Sequence, residues 1–197
     1  MGKTNIRRTL LAVLFLACGS FAKAADLSEP VILVAKRELR DQLFGTTILI
    51  AAPLSGGQHV GFILNRPTRV TLGNMFPDHG PSQKIVEPVY LGGPINVELI
   101  FALVQRPDSP GGKSMALMPG LYAVFDGDTV DRIVEAQPDQ ARFVAGLVAW
   151  QPGELLEEVK QGVWYVLEPD SALVLRKPTS GLWEELVQRL ERAAKGI

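Results

Sequence analysis

Thr46-Thr-Ile-Leu-Ile-Ala51 and His59-Val-Gly-Phe-Ile-Leu64 decide the fold, together with the short stretch between them. Both runs are apolar and rich in β-branched or aromatic side chains, which is strand chemistry. Pro53 to Gln58 joins them and carries Gly56-Gly57, a turn signal in a segment too short for a helix. Adjacent strands joined by a short turn make a hairpin, whereas a βαβ crossover needs a dozen or more residues. The chain therefore reads as α+β, with a mixed, largely antiparallel β-sheet flanked by helices in a single domain.

Working outward, Val31-Ile-Leu-Val-Ala35 is a continuous apolar run and predicts a buried strand. Lys36 to Gln42 is charged and reads as a turn or a single helical turn. Asn65-Arg66-Pro67-Thr68 ends the third strand. Leu72 to Phe76 fits one helical turn, and Pro77 to Glu87 reads as loop. Val89–Leu91, Glu98–Val104, Met115–Met118 and Leu121–Phe125 read as further strands, with a loop over Arg106 to Gly112. Asp128–Ala136 is a short amphipathic helix with Val130, Ile133 and Val134 on one face and Asp126 or Asp128 as its cap. Ala141–Trp150 reads as an apolar run, either a buried strand or a helix start. Pro152 to Lys160 is a helix stopped by Gly162, and Val163–Leu167 is a strand. Leu182–Ala194 is the last helix, capped by Thr179 or Ser180, with Trp183, Leu186, Val187 and Leu190 facing inward. The total is about eight strands and three or four helices, with no repeat and no linker.

Composition narrows the function classes. With 47% hydrophobic and 21% charged residues, a disordered or collagen-like chain is excluded. The net charge of −1 offers no basic excess for a nucleic acid. One cysteine forms no intramolecular disulfide, and two histidines with one cysteine do not build a His/Cys zinc site.

The N-terminus reads as a leader. Lys3, Arg7 and Arg8 precede the apolar run Leu10–Ala17, which is too short to span a bilayer and fits a signal peptide. Ala22-Lys23-Ala24 supplies the small-x-small pattern for cleavage after Ala24. The expected organisation is a signal peptide over residues 1–24 and one domain over 25–197, in the periplasm or secreted. Cys18 offers an alternative, a lipid anchor, and Arg7-Arg8 faintly echoes a twin-arginine signal. Cleavage removes four cations and no acid, taking the net charge from −1 to −5. The mature chain would carry no cysteine, which suits an oxidising compartment, and no transmembrane span is expected in it.

No Walker loop, dinucleotide fingerprint, nucleophile elbow or zincin motif is present. A Ser/His/Asp triad would need His59 or His79, and both read as exposed turn or loop residues. Asp78 with His79 makes a poor metal site. Three segments stand out. At the first, Asn65, Arg66 and Thr68 put an amide, a guanidinium and a hydroxyl at a strand end, donors suited to an anion. The same residues can instead hold a turn, with Arg66 clamped to an acid such as Glu87. The second is Tyr90-Leu91-Gly92-Gly93-Pro94, where Gly92 and Gly93 let a backbone approach a ligand or another segment closely. The third is Trp150-Gln-Pro-Gly-Glu154-Leu155, which reads as a core tryptophan beside a Pro-Gly helix start, the alternative being a helix start whose free N–H groups receive an anion.

Taken in order, these segments resemble the YqgE/AlgH family of bacterial proteins. The matching residues are Leu43-Phe44, Thr46 to Leu49, Gly61 to Thr68, Val89, Gly92-Gly93-Pro94, Gly120-Leu121, Gly146, Trp150, Pro152 to Leu155, Glu158, Trp164 and Trp183. The resemblance spans about residues 31 to 190. It implies a single α+β domain with a mixed sheet, no known enzymatic activity, and membership among proteins often labelled transcriptional regulators. Typical members lack a leader and look cytoplasmic. Many carry Leu-His where this chain has Leu103-Val104, and Trp-Gly-Pro-Gly-Gln-Leu where it has Trp150 to Leu155.

The function expected is a non-enzymatic binding or regulatory module outside the cytoplasm, with no catalytic residue, metal or cofactor. The alternative is a small anionic-ligand-binding protein or enzyme using Asn65, Arg66, Thr68, Gly92 and Gly93. A third reading is a cytoplasmic transcriptional regulator, against which the mature charge argues. The partner is another protein or a small anion.

Overall fold

The computed structural model describes residues 26–196, so the leader and Cys18 lie outside the described residues. The hairpin anticipated at 46–64 forms as β2 (Ile48–Pro53) and β3 (His59–Ile63), with Leu49 opposite Ile63 and Pro53 opposite His59. β1 (Val31–Ala35) pairs with the free edge of β2. These strands are buried on both faces, which is why their sequences are continuously apolar rather than alternating.

The remaining strands are β4 (Pro67–Thr71), β5 (Pro88–Leu91), β6 (Ile95–Gln105), β7 (Ser114–Met118), β8 (Leu121–Val124), β9 (Ala141–Trp150) and β10 (Trp164–Leu167). All ten form one sheet, in the order β10-β1-β2-β3-β9-β6-β8-β7, with β4 on β5 and β5 on β9. Every pairing is antiparallel except β5 with β9, so the sheet is mixed and largely antiparallel.

β9 joins the two halves. Its C-terminal end pairs with β3, its middle with β5, and its other edge with β6. Gly146 sits at the change of partner with φ of 73°. A Cβ there would lie 2.5 Å from the Gly93 carbonyl oxygen and 2.8 Å from that of Ile95, so the bend requires glycine.

The sheet curls until β7 lies against β2. Its inner face holds Ile50, Phe62, Phe101, Leu103 and Leu121, with the Phe62 and Phe101 ring centroids 5.2 Å apart. α6 (Leu182–Ala194) adds Trp183, Leu186 and Val187 to this core. The outer face of the β1–β3 half is covered by α4 (Glu154–Lys160) through Leu155, beside Trp150 and Trp164. The outer face of the other half packs with α1 (Leu72–Met75) and α3 (Gly127–Ala136) through Leu72, Ile133 and Val134.

Several elements differ from expectation. Asn65-Arg66 ends β3 as anticipated, but strand structure resumes at once, with β4 beginning at Pro67. The stretch Pro77–Glu87 contains α2 (Gly80–Gln83), and α5 (Ser171–Leu175) follows an Asp170 cap that accepts from the Ala172 N–H at 2.8 Å. β9 resolves the strand-or-helix alternative as strand. α6 starts from Gly181 with no side-chain cap, in place of Thr179 or Ser180. Among the described residues, no helix is long and apolar enough to cross a membrane.

Candidate functional site

At the end of β3 the chain turns through Asn65 and Arg66 into β4. Asn65 replaces a strand partner there: its Oδ1 accepts from the Ile48 N–H at 2.9 Å, and its Nδ2 donates to the Thr46 carbonyl at 2.8 Å. Pro67 restricts Arg66 to extended backbone, which carries its side chain away from the strand. Arg66 Nη2 donates to the Leu43 carbonyl at 3.0 Å and to Thr46 Oγ1 at 3.2 Å. The clamp anticipated to Glu87 is not made, because Glu87 pairs with Lys177.

The same turn is seamed to the Gly-Gly-Pro segment. Leu91 N–H donates to the Arg66 carbonyl at 2.8 Å, and Ile63 N–H donates to the Gly92 carbonyl at 2.7 Å. Thr68 Oγ1 donates to the Val89 carbonyl at 2.7 Å. The close approach that Gly92 and Gly93 permit is to β9. A Cβ on Gly92 would lie 2.4 Å from the Gly146 carbonyl oxygen, and one on Gly93 2.1 Å from that of Leu147.

The five residues thus converge, but they do different things. Asn65 and Thr68 hold backbone, and the glycines pack on β9. Arg66 keeps donors in reserve: it forms no ion pair among the described residues, and its buried Nε has no hydrogen-bond partner. It lines an open cleft of about 500 Å³ with Arg37, Asp41, Gln42, Thr46 and Trp183. Arg37 lies across that cleft, its guanidinium 5.3 Å from the Trp183 ring centroid and its Nε 2.8 Å from Glu191. Asp41 Oδ1 accepts from the N–H groups of Leu43 and Phe44, at 2.8 and 2.7 Å, and so shapes the loop that Arg66 grips.

The sequence reading missed Arg142. It sits in β9 among apolar residues and is 1% exposed. Its guanidinium donates to the carbonyls of Leu64 and Arg176 and stacks over Tyr90, 4.3 Å from the ring centroid. Burial pushes its pKa below the ordinary arginine value, and Tyr90 and Glu87 act in the opposite direction. Leu64 immediately precedes Asn65, so Arg142 fixes the Asn-Arg-Pro turn from below while Asn65 fixes it from above. The signal was in the sequence: a lone cation within a strand-length apolar run.

The two histidines fall elsewhere. His59 is buried, 9% exposed, rather than exposed, with Nε2 2.8 Å from the Leu27 carbonyl oxygen. His79 Nδ1 lies 2.7 Å from Ser82 Oγ, and its Nε2 lies 4.0 Å from Glu135. Among the described residues no three His, Cys, Asp or Glu side chains group as metal ligands.

Residues 32–195 match the AlgH-like family model. The chain belongs to the AlgH-like family. Its relatives include a UPF0301 protein of Chlorobium phaeobacteroides, 29% identical over 160 residues, covering 80% of this chain and 83% of that one. Another, from Streptomyces coelicolor, is 26% identical over 162 residues, covering 80% and 84%. The solution structure of the AlgH protein from Pseudomonas aeruginosa shares the fold, with a TM-score of 0.68 at 21% identity over 86% of this chain and 91% of that one. A crystal structure from Corynebacterium diphtheriae gives the same TM-score, 0.68, at 22% identity over 84% and 88%. Within this AlgH-like fold, Leu103 and Val104 are both fully buried, Leu103 in the inner core and Val104 in the cluster beneath α3.

Proposed function

We propose that this AlgH-like protein is a non-enzymatic binding module that takes an anionic group at Arg66 and works outside the cytoplasm. The observation that carries the ligand reading is Arg66 itself. It is a half-buried guanidinium with no ion pair among the described residues, beside a cleft that a second arginine shares. A guanidinium offers a planar fork of donors, and among the described residues Nη1 has no protein acceptor, while Nη2 is engaged and Nε is buried. A carboxylate or phosphate in the cleft supplies that acceptor.

The test is a titration with inorganic phosphate and with succinate, followed by tryptophan fluorescence and by calorimetry. Arg66→Ala should abolish the response and leave thermal stability nearly unchanged. Preserved binding together with a large stability loss would reduce the turn to architecture.

The compartment rests on the leader, with its Lys3, Arg7 and Arg8, its apolar run and its Ala22-Lys23-Ala24 pattern, all ahead of the matched residues 32–195. Mass spectrometry of the protein from its own host should give a start at Ala25. Intact residues 3–24 on a soluble cytoplasmic protein would overturn export, and an acylated Cys18 would replace cleavage with a lipid anchor.

A further inference from the structure

We infer that a second site, on the opposite half of the sheet, receives an extended peptide segment of a partner protein carrying a bulky apolar side chain beside a lysine or arginine. The first observation is the β8-side edge of β6, which carries no strand before Ala102 among the described residues. β6 pairs with β9 over Ile100–Val104 and with β8 over Ala102–Gln105, but Asn96–Leu99 have no registered partner in either strand. The register slips there, and Asn96 takes a φ of 53°. These four residues are exposed. Where β8 ends, the β6 edge leading into Ile100 and Phe101 is a template for one more strand, which gives affinity through main-chain hydrogen bonds, and the bulge at Asn96–Leu99 marks where such a strand would stop.

The second observation is the groove beside that edge, about 410 Å³, between β6, the end of β8 and helices α1 to α3. Its walls present Phe76, Leu99 and Phe125, which are 45%, 43% and 36% exposed. Three large apolar side chains meeting at one hollow form a patch that fits an apolar anchor.

The third is charge. Glu98 and Asp131 line the groove, and neither makes a hydrogen bond or ion pair among the described residues. Among the described residues no lysine or arginine lines it, and His79, which does, faces Glu135. An acidic rim over an apolar floor selects a cationic, amphipathic occupant and disfavours an acidic one.

The experiment titrates the full protein with the capped pentapeptide Lys-Val-Phe-Val-Lys and with its counterpart Glu-Val-Phe-Val-Glu. The basic peptide should bind, more weakly as salt rises, and protect the amides of Leu99 to Phe101 from exchange. The combined Glu98→Gln and Asp131→Asn variant should lose about tenfold in affinity, and Phe76→Ala, at an exposed position that leaves folding intact, at least as much. Arg66→Ala should change nothing, so this site and the anion cleft stand or fall separately. Equal binding of both peptides, or no protection along β6, would overturn the inference. So would a concentration-dependent dimer abolished by Leu99→Asp, which would make a second copy the occupant.

Discussion

Arg142 is where charge, burial and architecture conflict most sharply. A guanidinium held from water loses solvation, and it persists here because two carbonyls and a tyrosine ring receive it. Removing it leaves those carbonyls without their donor and opens a hole beneath the Asn-Arg-Pro turn. Arg142→Ala should therefore cost about 3–5 kcal/mol in urea denaturation, and Arg142→Met, which refills much of the volume, should recover only part of it. Equal losses in both variants would assign the whole effect to the hydrogen bonds. Glu158 shows the milder form of the same logic: its Oε2 accepts from the indole N–H of Trp164 at 2.8 Å and of Trp150 at 3.2 Å, tying two core aromatics to one carboxylate. The burial of Trp150 was legible, because an aromatic ending an apolar run before a Pro-Gly helix start has little choice but the core. Arg142 was passed over because nine of the ten residues of its strand carry no charge, and period and hydropathy dominated the reading.

At the scale of elements, β9 controls the geometry of both halves. The bend at Gly146 lets one strand serve β3, β5 and β6, and it lays Gly92 and Gly93 directly on its backbone. Gly146→Ala should lower stability by at least about 1–3 kcal/mol, since positive φ and a backbone contact closer than van der Waals distance act together. An unchanged melting temperature would mean that β9 can straighten without losing its partners. The sequence announced Gly92 and Gly93 as a close approach but not to what, because the partner strand lies some fifty residues onward and contact across that distance leaves no local pattern. β1 to β3 were legible because they are buried on both faces and uniformly apolar. β4 was not, because Pro-Thr-Arg-Val-Thr is largely exposed and carries no apolar period. α5 was passed over because five residues are too few to show a helical face. The groove beside β6 was equally silent, since an unpaired edge is a fact of register and not of composition.

Across the whole molecule, β9 belongs to both halves, and this makes a prediction about folding. Each half has its own outer core, and the inner core is shared, with Phe62 of β3 against Phe101 of β6. Neither half can close that inner face alone, so separation would expose Ile50, Phe62, Leu103 and Leu121 together. The halves should then unfold as one cooperative unit. The molecule supplies its own probes. Trp150 and Trp164 report on the outer core of the β1–β3 half and Trp183 on the shared inner core, while the amides of β7 and β8 report on the other half. Tryptophan fluorescence and amide resonances of β7 and β8, followed through one urea titration, should give the same midpoint and the same slope. A lower midpoint for β7 and β8 would mean that the curl opens before the hairpin half melts. In that case the groove beside β6 would sit on the less stable half, and peptide binding there should draw the two midpoints together.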